Sequence, residues 1–274
     1  MLHSSAITEL MHSFLIQPNW PTPPHVRSAC SLRLGGVSAA PYDSLNFGDH
    51  VGDQPKAVAR NREIYTNALQ AKPVYLKQVH GFDVVTLDSQ TVDGTVADAC
   101  ITREKNIACT IMVADCLPVL FCNRAGTVVG AAHAGWRGLC GEGGIGVLEQ
   151  IFKRFEQFTF IQPAQSATES IASDLLVWLG PCIGPSAFEV GAEVREAFVQ
   201  ADSQAYQHFK PMADGKFLGD LQSLARQRLA KLGITQIDGN DGTQPWCTVS
   251  NPSNFFSHRR DRISGRFAVS IWLS

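Results

Sequence analysis

The chain has 274 residues, of which 45% are hydrophobic and 18% charged, with a formal net charge of -2. That balance suits a globular fold with a sizeable core and excludes both the basic excess of a nucleic-acid surface and an acidic tail. No apolar run approaches the roughly 18 residues of a membrane span, and Met1 to Trp20 lacks a basic stretch followed by an apolar block, so a cytoplasmic protein without membrane partners is expected.

Residues 1–25, with Pro18, Pro21, Pro23 and Pro24, read as a loosely structured lead-in to one domain over residues 26–274. Val26 to Leu34 is a strand candidate that ends at Gly35-Gly36. The next stretch, Gly36 to Asp53, is rich in turn residues, and a loop of that length is usually functional or disordered. Asp53 is a plausible N-cap for a helix from Gln54 to about Gln70, with Pro55 in its first turn.

Val74 to His80 reads as a strand that ends at Gly81, with Asp83 to Leu87 as its hairpin partner. Asp98 to Thr102, Ile107 to Val113, Pro118 to Phe121 and Thr127 to Ala132 follow as strands. So many short strands in succession favour mixed or antiparallel sheets, an α+β fold, over a doubly wound parallel sheet. Gly141 to Gly146 is glycine-rich and opens a helix from Val147. It matches neither phosphate-loop pattern and carries little weight alone. Ile161 to Ser173 reads as an extended surface loop and Leu175 to Leu179 as a buried strand. Glu189 to Ala201 and a segment capped by Asp220 read as helices. Ile234 to Ile237, Trp246 to Val249 and Arg266 to Trp272 close the chain as strands.

Three reactive side chains stand at strand ends beside bends: His80, Cys116 and His133. Two imidazoles and a thiolate suit Zn²⁺, and three protein ligands leave a fourth position open, as in catalytic zinc sites. Copper accepts the same donors. The spacing matches no generic zinc pattern, so two other readings stand beside the metal site. One is a Cys116 nucleophile activated by His133 or His80. The other is a buried thiol with two structural histidines. None of the eight cysteines forms a C-x-x-C pair, and most are expected to be core residues, Cys122 among them.

The segments Lys77-Gln78-Val79-His80-Gly81, Ala114-Asp115-Cys116-Leu117-Pro118 and His133-Ala134-Gly135-Trp136-Arg137-Gly138 resemble the signatures of the laccase-domain family, described both as polyphenol oxidases and as zinc-dependent purine nucleoside phosphorylases. Arg33 to Ser38, Ser44-Leu45-Asn46, Gly180 to Gly184, Phe188 to Gly191, Phe256 to Arg260 and Gly265-Arg266 extend the resemblance from about Ser28 to Ser274. It implies mixed sheets packed between helices in α/β/β/α layers, like a bacterial cytotoxic necrotizing factor deamidase domain. It implies that His80, Cys116 and His133 hold the metal. It further implies phosphorolysis of adenosine, inosine, guanosine and methylthioadenosine, with purine nucleosides and phosphate as partners, and deamination of adenosine.

Within that frame Asp115 is a candidate acid/base or orienting residue. Ser38, Asn46, Arg62, Lys77, Gln78, Arg137 and Arg259 are candidate substrate contacts. The alternatives are a copper-dependent polyphenol oxidase, a Cys116-based amidase or deamidase acting on a cell-wall precursor, and a non-catalytic binding module. The histidines form no H-x-H pair, which argues against a multicopper centre, and the H-x-E and P-C-x-x-C signature of nucleobase deaminases is missing. The residues leave the oligomeric state open, a monomer included.

Overall fold

A period of two runs through the central strands and sorts their side chains between layers. In β7 (Leu117–Asn123), Leu117, Val119 and Phe121 point into one apolar cluster and Leu120 and Cys122 into another. β9 (Leu175–Leu179) divides Leu175, Val177 and Leu179 from Leu176 and Trp178 in the same way. Strands buried on both faces need a covering layer on each side. The computed structural model, which describes residues 14–159 and 171–274, supplies those layers.

One sheet has five strands, ordered β1 (Leu15–Ile16), β2 (Val26–Ser31), β14 (Phe267–Leu273), β6 (Ile107–Val113) and β3 (Lys72–Tyr75). The other has six, ordered β13 (Gln236–Gly239), β9, β7, β8 (Val129–Ala134), β5 (Ala99–Thr102) and β4 (Val84–Thr86). β3 with β6, β4 with β5 and β13 with β9 run parallel, and the remaining pairs in these two sheets run antiparallel. Trp178, Val269, Ile271, Ile111 and Leu120 fill the space between the sheets. The outer face of the five-stranded sheet is covered by α1 (Pro55–Leu69) through Tyr65 and Leu69. The six-stranded sheet is covered by α3 (Val147–Thr159) and α6 (Leu221–Lys231), and α2 (Trp136–Cys140) and α5 (Ala192–Ala201) also join that cluster. The result is the expected mixed α+β, α/β/β/α architecture. Among the described residues no helix is long and apolar enough to cross a membrane.

Several local expectations change. Residues 1–13 and 160–170 lie outside the described residues, so most of the lead-in and of the Ile161 to Ser173 loop is not described. Within the rest of those two segments, β1 pairs with Cys30 and Ser31, and a short helix, α4, runs over Ile171–Asp174. β4 is not a hairpin partner of β3. The N–H groups of Asp98 and Ala99 both donate to the Asp83 carbonyl, which pulls β4 alongside β5 in the other sheet. Helix α1 begins at Pro55 with Gln54 as N-cap, and both carboxylate oxygens of Asp53 are engaged outside the helix, Oδ2 by Ser38 and Asn46 and Oδ1 by the Gln54 N–H. Glu189–Val190 is a strand, β10, of a small third sheet with β12 (Phe217–Gly219) and β11 (Phe209–Pro211). Trp246 ends a single 3₁₀ turn instead of opening a strand. Asp220 does cap α6, its side chain accepting from the Ser223 N–H at 2.8 Å.

The glycine segment before α3 is not a phosphate cradle. Glu149 turns back to accept the Gly146 N–H at 2.8 Å, and Arg228 donates to the Gly144 carbonyl at 2.6 Å. A carboxylate already occupies the place an anion would take.

Candidate metal centre

Alternation along β8 decides where His133 points. Val129 and Ala131 face the space between the sheets, and His133, of the same parity, continues that face to the end of the strand. Cys116 sits just before β7, the antiparallel neighbour, and packs against the same interlayer cluster. His80 arrives from the bend after β3. The donor atoms of His80, Cys116 and His133 all lie within 4.8 Å of one another. Cys116 Sγ is 3.8 Å from His80 Nε2, close to the roughly 3.5 Å between two donors in tetrahedral zinc. The two imidazole rings meet edge to face, with centroids 4.8 Å apart.

Asp98, wholly buried, organises both histidines. Its Oδ1 accepts from His133 Nδ1 at 2.8 Å and from the His80 N–H at 2.9 Å, and its Oδ2 accepts the N–H groups of Val79 and Gly81 at 3.1 and 2.8 Å. An ionised carboxylate only accepts, so Nδ1 of His133 carries the proton and Nε2 is left as the donor towards the site. The same grip holds His80 at φ 61, a left-handed backbone that a non-glycine residue adopts only at a cost. Burial pushes the Asp98 carboxyl up, but the hydrogen bond and charge of His133, with the backbone donors, outweigh it and hold the pKa below the usual value.

Cys116 and His133 shift in opposite directions. Burial raises the thiol, yet His133 and His80 overcome it and draw its pKa down. Burial lowers His133, yet Cys116 and Asp98 draw it up. The protein alone therefore favours a thiolate beside an imidazolium: Cys116 is already in its metal-binding form, and a metal would displace the Nε2 proton of His133, leaving the Nδ1 proton in its hydrogen bond to Asp98.

Two glycines of the His133-to-Gly138 segment are explained by space. A Cβ on Gly135 would lie 2.9 Å from His80 Cδ2 and 3.1 Å from Cys116 Sγ. A Cβ on Gly138 would lie 2.4 Å from the Gly81 carbonyl oxygen. Helix α2 can approach the His80 bend only with these positions bare.

The three donors open into a cavity of about 440 Å³. Met112, Val113, Ile183, Phe188, Leu221 and Trp136 contribute apolar lining, and His50, His258, Arg259 and Arg266 contribute polar and cationic groups. The donor set, its open side and the fixed tautomer of His133 fit a single Zn²⁺ or copper ion.

Of the other sequence candidates, Gln78, Asp115 and Arg259 line the cavity. Gln78 is clamped on the backbone of Met112 through both ends of its amide. Both carboxylate oxygens of Asp115 are engaged, one by the Thr248 hydroxyl at 2.6 Å and one by the Arg259 N–H at 2.7 Å, so Asp115 ties the Cys116 bend to the C-terminal loop.

The structure does not bring Arg62, Lys77, Arg137, Ser38 or Asn46 to the cavity wall. Arg62 is held by the Phe47 carbonyl, by Asp49 and Asp93, and lies over the Tyr75 ring. Lys77 is exposed on a bridge to Val96. Arg137 is exposed and packs on the ring of Trp136. Ser38 and Asn46 belong to a buried network around Asn61 and Asp53 that orders the long loop.

Sequence reasoning missed Asp98, Arg266, His50 and His258. For Asp98 a signal was available, a lone acid between Ala97 and the apolar run Ala99-Cys100-Ile101.

A family model described as multi-copper polyphenol oxidoreductase laccase matches residues 27–274. The chain is similar to a protein of Escherichia coli (strain K12) named purine nucleoside phosphorylase YfiH, with 49% identity over 263 residues, or 95% of this chain and 99% of that one. It is similar to a purine nucleoside phosphorylase of Haemophilus influenzae, 43% identical over 94% of this chain and 98% of that one. Among solved structures it resembles protein NMB0706 of Neisseria meningitidis, with TM-score 0.82, 42% identity and coverage of 96% of this chain and 100% of that one. YlmD of Geobacillus stearothermophilus follows with TM-score 0.80, 26% identity and coverage of 94% and 96%.

Proposed function

The chain belongs to the multi-copper polyphenol oxidoreductase laccase family, and on that premise we propose that it is a zinc-dependent purine nucleoside phosphorylase. One observation carries the reading: three metal donors converge in the lining of a cavity large enough for a nucleoside. Relatives named purine nucleoside phosphorylase, aligned over almost their whole length, support the reaction class.

In the proposed reaction an oxygen of inorganic phosphate bonds to C1′ of the nucleoside as the C1′–N9 bond breaks. The bonding pair leaves on the purine, which takes up a proton, and the products are the free base and ribose 1-phosphate, or 5-methylthioribose 1-phosphate from methylthioadenosine. Adenosine, inosine, guanosine and methylthioadenosine are the proposed substrates, and hydrolytic removal of the adenosine amine is a second activity. His80, Cys116 and His133 hold the ion, which when bound supplies Lewis acidity at an open coordination position. Asp98 orients the two histidines. The apolar wall of Met112, Phe188 and Leu221 takes the base and excludes water. Asp115 places Arg259, and Gln78 and Arg259 contact substrate.

The family description names copper, which the same donors accept. Among the described residues there is a single three-donor cluster, which favours one ion over a multicopper centre.

A second reading draws on the Cys116–His80 contact of 3.8 Å and the lowered thiol pKa. These are the features of a thiolate nucleophile in an amidase or deamidase.

Metal analysis of the purified protein, followed by incubation with adenosine in the presence and absence of phosphate, separates these readings. Adenine and ribose 1-phosphate, lost on chelation and in Cys116→Ala, support the phosphorylase. Metal-free turnover of an amide through a covalent Cys116 adduct overturns it.

A further inference from the structure

Five arginines have a carboxylate partner among the described residues: Arg33 has Asp43, Arg60 has Glu63, Arg62 has Asp49 and Asp93, Arg228 has Glu149 and Arg260 has Asp261. Arg266 and Arg259, the two arginines on the cavity wall, form no ion pair among the described residues. Nη1 of Arg266 donates to the carbonyls of Ser264 and Gly265 at 2.9 and 3.0 Å, while Nε and Nη2 have no protein acceptor among the described residues. Arg259 spends one nitrogen on the Glu189 carbonyl. Cys116 and Asp115 act on Arg266 through their charge without a direct ion pair, and a partly buried guanidinium with no carboxylate in contact is costly and is normally paired.

The fold nevertheless holds Arg266 firmly in place. Its N–H donates to Asn46 Oδ1 at 2.8 Å, and its carbonyl accepts the Phe47 N–H at 3.0 Å. Gly48 lies against its stem, where a Cβ would stand 2.9 Å from Arg266 Cγ. The same loop carries His50, which also faces the cavity. The long Gly36-to-Asp53 loop thus reaches the site by cradling Arg266 and presenting His50.

We propose that Arg266, with Arg259 from the same cavity lining, forms the subsite for the inorganic phosphate dianion, an assignment that rests on phosphorolysis being the reaction of this cavity. The guanidinium fork matches two phosphate oxygens, and the imidazoles of His50 and His258, which line the same cavity, can donate further hydrogen bonds. Asn46 and Gly48 are positioning residues that act through Arg266.

The test uses the metal-loaded protein, with inorganic phosphate as titrant in calorimetry and as varied substrate against saturating inosine. Arg266→Met should weaken phosphate binding and raise KM for phosphate at least ~10-fold, with KM for inosine within about twofold, as expected for losing a charge-assisted pair of hydrogen bonds. Arg266→Lys, which keeps the charge and stem, should fall between, and it carries the test if Arg266→Met does not fold. A folded variant with wild-type metal content and unchanged phosphate affinity overturns the subsite. Phosphate binding through Arg266 in a protein that leaves inosine intact removes the phosphorylase and keeps the subsite. Phosphorolysis with an Arg266-independent KM for phosphate does the reverse.

Discussion

Asp98 and His133 are joined by a 2.8 Å hydrogen bond, and the same carboxylate oxygen also receives the backbone N–H of His80. One side chain thus fixes the ring of one donor and the backbone of the other. Asp98→Asn should lower zinc affinity about 10–100-fold, the usual effect of removing a carboxylate that orients a ligating histidine. Competition with a chromophoric chelator measures it, and an unchanged affinity would show that the histidines are held by other contacts.

Asp98 also makes stability depend on pH. Its folded pKa is depressed, so its contribution is fully present above the unfolded value of ~3.9 and is lost as pH falls through the lower folded value. In metal-free protein, the stability gap between wild type and Asp98→Asn should be widest between about pH 4 and 6, narrow on acidification as Asp98 is protonated, and narrow again at alkaline pH as His133, raised to about 9, loses its proton. Urea titrations across that range follow it.

The thiolate character of Cys116 has its own signature. In the metal-stripped protein its alkylation by iodoacetamide should show a midpoint well below the ~8.5 of a free cysteine. Cys30, Cys109 and Cys182, whose thiols burial pushes up, should stay unmodified in the native state. Mass spectrometry of the individual peptides gives each rate, and metal should protect Cys116.

Gly135→Ala and Gly138→Ala should separate metal binding from folding. The first presses a methyl group on two donor side chains that can yield, so the expected loss is in zinc affinity. The second presses on a backbone carbonyl, and overpacking of that kind costs about 1–3 kcal/mol. Calorimetry with zinc and denaturant unfolding of both variants give the two numbers.

Arg228 and Glu149 join α6 to the start of α3 with two contacts of 2.9 Å, and both side chains are largely buried. Arg228→Met should cost about 3 kcal/mol because Glu149 is left without its partner. A change of that size in guanidinium unfolding, with zinc affinity retained, would place the glycine segment in folding and not in the site.

Position at strand ends beside bends singled out His80, Cys116 and His133 but left a metal site, a nucleophile and a structural thiol open; the resemblance to the laccase-domain signatures was what grouped them, and the structure brings their donor atoms within 4.8 Å of one another. The capped helix at Asp220 was legible from local pattern. Asp98 was not, because its partners come from two other chain segments and no spacing links them. Arg266 read as the opening of a strand, while its role depends on Asn46, which contacts it across most of the sequence. Arg62 looked like an anion contact by type alone, but Phe47, Asp49 and Asp93 already hold it. The pairing of β4 was misjudged because sequence neighbours usually pair, whereas here Asp98 and Ala99 bind the Asp83 carbonyl and direct it to the other sheet.

The placement of β14 has a consequence for fragments of this protein. It is the last strand in sequence but lies between β2 and β6, with Val269 opposite both Cys30 and Ile111. A chain cut before Phe267 would leave β2 and β6 each with an unpaired row of backbone donors and acceptors. Such open edges pair with other chains. Truncation there is expected to give self-association as well as inactivity, visible as large species in size-exclusion chromatography.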